Sequence, residues 1–95
     1  MDKKELHLTI VSPEKTLFNG NINWIELPGE KGRFQVLNNH AALISTLVKG
    51  NIVYELGEAH YRVKRESHSI QISSGFVEIQ NNVVSVCVET SDKEE

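Results

Sequence analysis

Apolar and polar residues alternate with a period of two along almost the whole chain. Near the start, Leu6, Leu8 and Ile10 fall on one side of an extended segment. Successive side chains of a β-strand point to opposite faces of a sheet, so this spacing predicts strands with one buried face. The best helical candidate, residues 41–47, is rich in residues that favour extended structure. We therefore expect an all-β fold.

Turn-forming residues interrupt the alternation about every eight to twelve residues. The main interruptions are Ser12-Pro13-Glu14, Asn19-Gly20, Leu27-Pro28-Gly29, Asn38-Asn39, Gly50-Asn51, Gly57-Glu58, Ser73-Ser74-Gly75 and Asn81-Asn82. They divide the chain into about eight to ten short strands, as in a two-sheet antiparallel β-sandwich or a flattened barrel. In particular, Asn19-Gly20 predicts a tight turn before a strand at residues 22–27, and Gly57-Glu58 predicts a hairpin into residues 59–64.

The predicted strand at residues 22–27 carries apolar side chains on both faces. Ile25 and Leu27 share one face, whereas Ile22 and Trp24 share the other. Trp24 therefore has two interpretations, as part of the sandwich core or as part of an exposed apolar patch for a partner.

Composition and charge narrow the class of protein. The 95 residues make one domain, with the sandwich over residues 1–90 and a charged tail over residues 91–95. A formal net charge of −3 and no basic run beyond Lys64-Arg65 argue against nucleic acid as a partner. The single cysteine, Cys87, has no internal disulfide partner, which indicates a reducing compartment. The chain shows no secretory signal pattern and no apolar run of about 18 residues, the length of a membrane span.

No pattern in the chain points to catalysis, a metal or a cofactor. His7, His60 and His68 fall on different predicted strands without the spacing of metal ligands. Residues 29–32, Gly-Glu-Lys-Gly, are not a phosphate loop, because a Walker-type loop needs Gly-Lys-Ser/Thr opening a helix and a strand follows here. Cys87 lacks the base and the positive surroundings that activate a thiol.

Residues 26–48 hold the best candidates for partner contact. Gly29 and Gly32 bracket Glu30-Lys31, which predicts a tight, exposed and charged loop tip. A second turn at Asn38-Asn39 leads to His40 and a small apolar run. Loops held by a rigid scaffold commonly make contacts with partners. His40 has an equal alternative, in which its ring hydrogen-bonds its own turn.

Three segments, in order, resemble the N-terminal β-sandwich domain of the epsilon subunit of F-type ATP synthases. They are LTIVSPEKTLFNG, ELPGEKGRFQVLNNHAALI and ISSGFVEIQNNVVSVCVE, and together they extend over nearly the whole chain. Three positions depart from the family's pattern. Ala42 replaces a Pro, Asn39 replaces a Gly before the His, and Ser74 replaces the first Gly of a pair.

The resemblance implies a non-catalytic subunit of the central stalk that links the gamma subunit to the ring of c subunits. It assigns the c-ring contact to Pro28, Gly29, Glu30, Lys31, Gly32 and Arg33. It assigns the gamma contact to Ser12, His40, Ala41, Ala42 and Ser45. It also implies a peripheral location on the cytoplasmic face of a bacterial inner membrane and coupling to proton or sodium flow. If 95 residues is the natural length, the chain resembles short epsilon subunits that lack the C-terminal helical hairpin.

Two other classes of function stay open at this stage. A freestanding sandwich could bind a carbohydrate or a peptide, although a single Trp and 6% aromatic residues argue against stacking on sugars. A small barrel enzyme would require polar residues that converge in a pocket, and the sequence offers only scattered His and Ser residues.

Overall fold

The computed structural model describes residues 5–57 and 66–90 and confirms the all-β prediction. Within these residues there are eight strands: β1 (Leu6–Val11), β2 (Thr16–Gly29), β3 (Gly32–Val36), β4 (Leu43–Leu47), β5 (Gly50–Leu56), β6 (Ser67–Ile72), β7 (Ser74–Gln80) and β8 (Val83–Glu89). The predicted strand at 59–64, with His60, and the charged tail at 91–95 lie outside the described residues.

The strands form one connected sheet in the order β1-β8-β7-β4-β2-β5-β6, with β3 paired to β2. Because β1 also pairs with β2, part of the sheet closes on itself. All pairs are antiparallel except β1 and β8, which run parallel. Among the described strands this pair is the one exception to the predicted antiparallel pairing. These two strands are far apart in sequence, so no hairpin fixes their relative direction.

The predicted tight turn at Asn19-Gly20 is wrong, because both residues lie inside the 14-residue strand β2. Asn19 pairs with Thr9 and Gly20 with Leu8 in the β1–β2 ladder. The chain reverses earlier, where the Ser12 N–H donates to the Lys15 carbonyl at 2.8 Å. Strand pairing here overrides the local turn preference of an Asn-Gly pair.

A β-bulge at Asn23 explains the mixed faces of β2. Opposite β5, Ile22 pairs with Leu56 and Trp24 with Glu55, so Asn23 is an extra residue. The bulge shifts the parity of the strand, and Ile22 reaches the same core as the residues beyond it. Trp24 is half-buried outside the core cluster, and its indole N–H donates to Glu55 Oε1 at 3.0 Å.

Apolar side chains from all eight described strands pack together in one core. Its fully buried members alternate along each strand and include Leu6, Leu8, Ile10, Ile25, Leu27, Val36, Leu47, Ile52, Ile72, Val77, Ile79, Val84 and Val86. Burying an aliphatic side chain of this kind contributes about 1.5–3 kcal/mol. Tyr54 lies at the edge of the core beside Phe18, and burial raises the pKa of its hydroxyl above the ordinary value.

Candidate functional site

The first predicted contact loop is the tip of the β2–β3 hairpin. Gly29 pairs with Gly32 and closes a two-residue turn at Glu30 and Lys31. Gly32 has φ +128°, a conformation that other residues rarely adopt. The Glu30 N–H donates to the Thr46 carbonyl at 3.0 Å, which ties the tip to β4. The tip is therefore a fixed protrusion that presents two charges of opposite sign.

The six residues assigned to the c-ring contact divide by exposure. Glu30, Lys31, Gly32 and Arg33 are exposed, whereas Pro28 and Gly29 are buried. The Pro28 carbonyl accepts the Val48 N–H at 2.9 Å. Because of their burial, Pro28 and Gly29 shape the loop but cannot offer a free surface. Arg33 Nε lies 3.4 Å from Glu26 Oε1 in an exposed ion pair.

The second predicted contact loop is the turn at residues 37–40. The His40 N–H donates to the Leu37 carbonyl at 3.2 Å, and Asn39 has φ +66°. The half-buried His40 ring approaches the Ala41 carbonyl through Nδ1 at 2.8 Å. Nδ1 is the donor in this contact, because a carbonyl oxygen can only accept. His40 thus makes the local hydrogen bond of the structural alternative, while Ala41 and Ala42 are exposed.

Residues of the two predicted contacts line one open groove of about 620 Å³. The hairpin tip forms one wall, and His40 with residues 43–46 forms the other. Ser45 is half-buried there and its hydroxyl donates to the Thr46 carbonyl at 3.1 Å. The tip and His40 are therefore neighbours in the fold, although the family resemblance assigned them to different partners.

Ser12 lies elsewhere, beside an apolar recess of about 300 Å³ on the outer face of the sheet. Its hydroxyl accepts the Lys15 N–H at 3.3 Å in the β1–β2 turn. Val11, Phe76 and Cys87 line the same recess. Among the predicted gamma contacts, Ser12 is therefore separated from the groove that contains His40 and Ser45.

The sequence analysis missed an exposed apolar surface, which we call the outer apolar patch: Val11, Phe76 and Cys87, with Ile44 diagonal to Phe76 on the same face of β4, opposite Glu78. The side chain of Ile44 is 71% exposed and that of Phe76 is 49% exposed. Strand pairing places Phe76 opposite Cys87, and Cys87 opposite Val11. A signal was present in the sequence, because Phe76 has the opposite parity to the buried Val77 and Ile79.

The remaining candidate residues do not converge on one place. The His7 ring contacts the side-chain oxygens of Asn19 and Asn21 at 2.7 and 3.0 Å. His68 stacks on Tyr54 with ring centroids 5.6 Å apart. Over residues 5–57 and 66–90, no three His, Cys, Asp or Glu residues are grouped as metal ligands. In the same ranges no helix has the length and apolar character needed to cross a membrane.

Residues 5–93 match the protein family described as ATP synthase, Delta/Epsilon chain, beta-sandwich domain. The ATP synthase epsilon chain of Lawsonia intracellularis is 32% identical over 91 residues, covering 96% of this chain and 63% of the relative. That of Leptospira borgpetersenii is 34% identical over 82 residues, covering 86% of this chain and 59% of the relative. The chain thus spans slightly less than two thirds of the length of these curated relatives.

Two solved structures share the fold. One is in the cryo-EM structure of the central stalk and c ring of the Tetrahymena thermophila mitochondrial ATP synthase. The alignment with that chain has a TM-score of 0.73 at 17% sequence identity and covers 100% of this chain and 77% of that chain. The other is in the Euglena gracilis mitochondrial ATP synthase, with a TM-score of 0.78 at 18% identity, covering 90% of this chain and 51% of that chain. At such identities the likeness shows a common fold.

Proposed function

This chain belongs to the family of ATP synthase delta/epsilon β-sandwich domains, and from that premise we propose that it is a non-catalytic rotor subunit of an F-type ATP synthase. In this proposal it links the gamma subunit to the ring of c subunits and couples rotation to ATP synthesis. It is peripheral to the membrane and reaches the cytoplasmic face of a bacterial inner membrane through the complex. The family match over residues 5–93 is the observation that carries the proposal.

The outer apolar patch supports a docking surface for the gamma subunit. It adjoins Ser12, which borders the recess beside Phe76. Ser45 follows Ile44 on β4 but has the opposite parity, opposite the buried Val77. A durable interface has a desolvated apolar centre and a polar rim, and this arrangement provides both. We assign gamma to this face, with the patch at the centre and with Ser12 and residues 40–42 at the rim, while Ser45 lies in the adjoining groove with His40.

The hairpin tip supports a contact of a different kind with the c ring. Glu30, Lys31 and Arg33 are exposed and charged, so they suit the polar loops of a ring at the membrane surface. Torque transmission requires that the contact does not yield under load. The tip satisfies this requirement because Gly29 pairs with Gly32 and the Glu30 N–H is bonded to β4.

The first experiment is co-expression of this chain with the gamma subunit from the same organism, followed by size-exclusion chromatography. We expect a one-to-one complex for the wild-type chain. Phe76→Glu places a charge in the centre of the patch and should dissociate the complex. Gln71→Glu is the matched control, because it adds the same charge at an exposed position of β6.

Three outcomes of the co-expression experiment lead to different conclusions about the gamma interface. A complex that survives in Gln71→Glu and is lost in the folded Phe76→Glu variant supports the assigned gamma face. A complex that survives in both variants would show that gamma binds somewhere other than the patch. Two separate, folded peaks for the wild-type chain would contradict the direct link to gamma.

A further inference from the structure

Asn82 is the only buried polar residue within residues 5–57 and 66–90, with 7% of its surface exposed. It forms with Asn81 the two-residue turn between β7 and β8, where both residues have positive φ, 50° at Asn81 and 63° at Asn82. Burying a side-chain amide is unfavourable unless the amide is hydrogen-bonded. A turn of this type needs only positive φ values, so the burial of Asn82 calls for a second explanation.

The side chain of Asn82 reaches a distant part of the chain. Its Oδ1 accepts the Asn39 N–H at 2.7 Å, across 43 positions of sequence. Its Nδ2 lies 3.5 Å from Asn39 Oδ1. The Asn82 carbonyl accepts the His7 N–H at 2.9 Å. Asn82 therefore joins the β7–β8 turn, the start of β1 and the turn before His40.

The bond to Asn39 acts at the point where the chain changes direction. Asn39 has φ +66°, and the next residue, His40, closes the turn onto Leu37. Regular pairing of this segment resumes only at Leu43, opposite Ile79. The amide of Asn82 thus sets the direction in which residues 40–42 leave the turn.

We propose that Asn82 is a positioning residue that holds residues 40–42 in the orientation in which they meet the gamma subunit. The proposal rests on the function proposed above and adds a residue that lies outside the assigned contact set. Asn82 itself touches no partner in this proposal, since it is buried beneath the turn and acts through Asn39.

Asn81 provides a matched control within the same two-residue turn. It also has positive φ, but it is exposed, and no side-chain hydrogen bond to Asn39 is formed from it. Glycine adopts positive φ without steric cost. Asn82→Gly and Asn81→Gly therefore preserve the backbone of the turn, and only the first removes the bond to residue 39. Asn82→Asp keeps an acceptor oxygen for the Asn39 N–H but loses the Nδ2 donor that faces Asn39 Oδ1, and it serves as the conservative variant for the first bond alone.

The first measurement is hydrogen exchange of the backbone amides at residues 38–42 in the chain without a partner. Removing the acceptor of the Asn39 N–H, whose bond is partly buried, should raise its exchange in Asn82→Gly roughly tenfold. Asn81→Gly should change it less than about twofold, and Asn82→Asp should restore most of the protection. Unchanged exchange in Asn82→Gly would overturn the proposal, whatever the behaviour of gamma.

The second measurement is the affinity for gamma, at a temperature where every variant is folded. We expect Asn82→Gly to bind several-fold more weakly, because a smaller fraction of the chain has the competent orientation. Ile72→Val, a core truncation on β6, controls for a general loss of stability and should bind normally. Asn82→Asp should recover the affinity.

The two measurements separate this inference from the function on which it rests. Faster exchange with normal gamma affinity in Asn82→Gly would leave the gamma face standing and overturn the positioning role. No binding of gamma by the wild-type chain would overturn the proposed function, and the role of Asn82 with it. Faster exchange and weaker binding in Asn82→Gly alone, both recovered in Asn82→Asp, would support the inference.

Discussion

The two turns predicted to contact partners are maintained by different physical means. The β2–β3 tip depends on Gly29 and Gly32, which lie within the turn itself, and its bond to β4 uses a backbone N–H that almost any residue could supply. The turn before His40 depends on the side chain of Asn82, 43 positions away from Asn39. The first is therefore a property of local sequence, and the second is a property of the completed fold.

This difference predicts how each turn responds to mutation. Substitutions within residues 29–32 should disturb only the tip, since its conformation is specified there. The His40 turn should respond to changes in two distant parts of the chain. If the two turns contact different partners, the gamma contact is also the more sensitive to the state of the whole domain.

The largest effect that we expect is at the tip, in Gly29→Ala. An added Cβ would lie 2.9 Å from the Gly32 carbonyl oxygen and 2.9 Å from Phe34 Cε1. Since one of these neighbours is backbone, the overpacking should lower the free energy of unfolding by about 1–3 kcal/mol, measured by urea denaturation. Gly20→Ala is the control, because its Cβ would meet only the end of the Phe18 ring, at 3.1 Å. Equal losses in the two variants would contradict the packing argument.

The next effect isolates the local contribution to the His40 turn. Asn39→Ala forces an alanine into a left-handed conformation, which costs about 1–2 kcal/mol. Asn39→Gly accepts that conformation and should lose less stability. Both variants keep the backbone N–H that Asn82 Oδ1 accepts, and both lose the 3.5 Å contact of Asn39 Oδ1 with Asn82 Nδ2, so they differ only in backbone conformation. Similar urea midpoints for the two variants would show that φ at residue 39 is not a source of strain.

Local patterns in the sequence predicted much of the fold. Alternation identified the buried face of β1, and turn chemistry identified the bends at residues 29–32, 38–39 and 81–82. The errors at Asn19-Gly20 and at Asn23 have a different origin. The continuity of β2 and its bulge depend on pairing with β1 and β5, and single-sequence patterns do not contain those pairings.

The candidate site was predicted less completely, for the same reason. Exposure of Glu30 and Lys31 follows from their place between two glycines. The burial of Pro28 and the shared groove follow only from the arrangement of neighbouring strands. The parity of Phe76 signals its exposure, but only strand pairing brings it beside Cys87. The contact between Asn82 and Asn39 is the clearest case, because an Asn-Asn turn signal predicts the backbone and not the partner of its side chain.

A smaller and stabilising effect is expected at Ala42, where the family's pattern has Pro. Ala42 is exposed and precedes β4, so a proline there removes no strand pairing. Ala42→Pro should raise the free energy of unfolding by about 0.4–1 kcal/mol, because it restricts the unfolded chain. Ala41→Pro is the control and should not stabilise, because a proline restricts the backbone of the preceding residue, which is His40, whose N–H closes the turn onto Leu37. A loss of stability in Ala42→Pro would show that φ at residue 42 is unlike that of proline.

The smallest effect on stability, and the sharpest test of the comparison, is charge reversal at the tip. Glu30→Lys and Lys31→Glu should change the free energy of unfolding by less than about 0.5 kcal/mol, because both side chains are exposed. Arg33→Ala removes an ion pair whose side chains are 42% and 39% exposed, and it should cost less than about 1 kcal/mol.

The same variants should still impair ATP synthesis by the complete complex reconstituted in liposomes, if the tip meets the c ring. Glu66→Lys, an exposed charge reversal next to β6, should leave both stability and synthesis unchanged. Parallel losses of stability and coupling in the tip variants would mean that the charges support the fold and not a partner. Loss of coupling in a fully stable chain would mean that the glycines set the conformation of the tip and the charged side chains make its contact. The two roles cannot be separated in this way at the His40 turn, because its conformation depends on the distant Asn82.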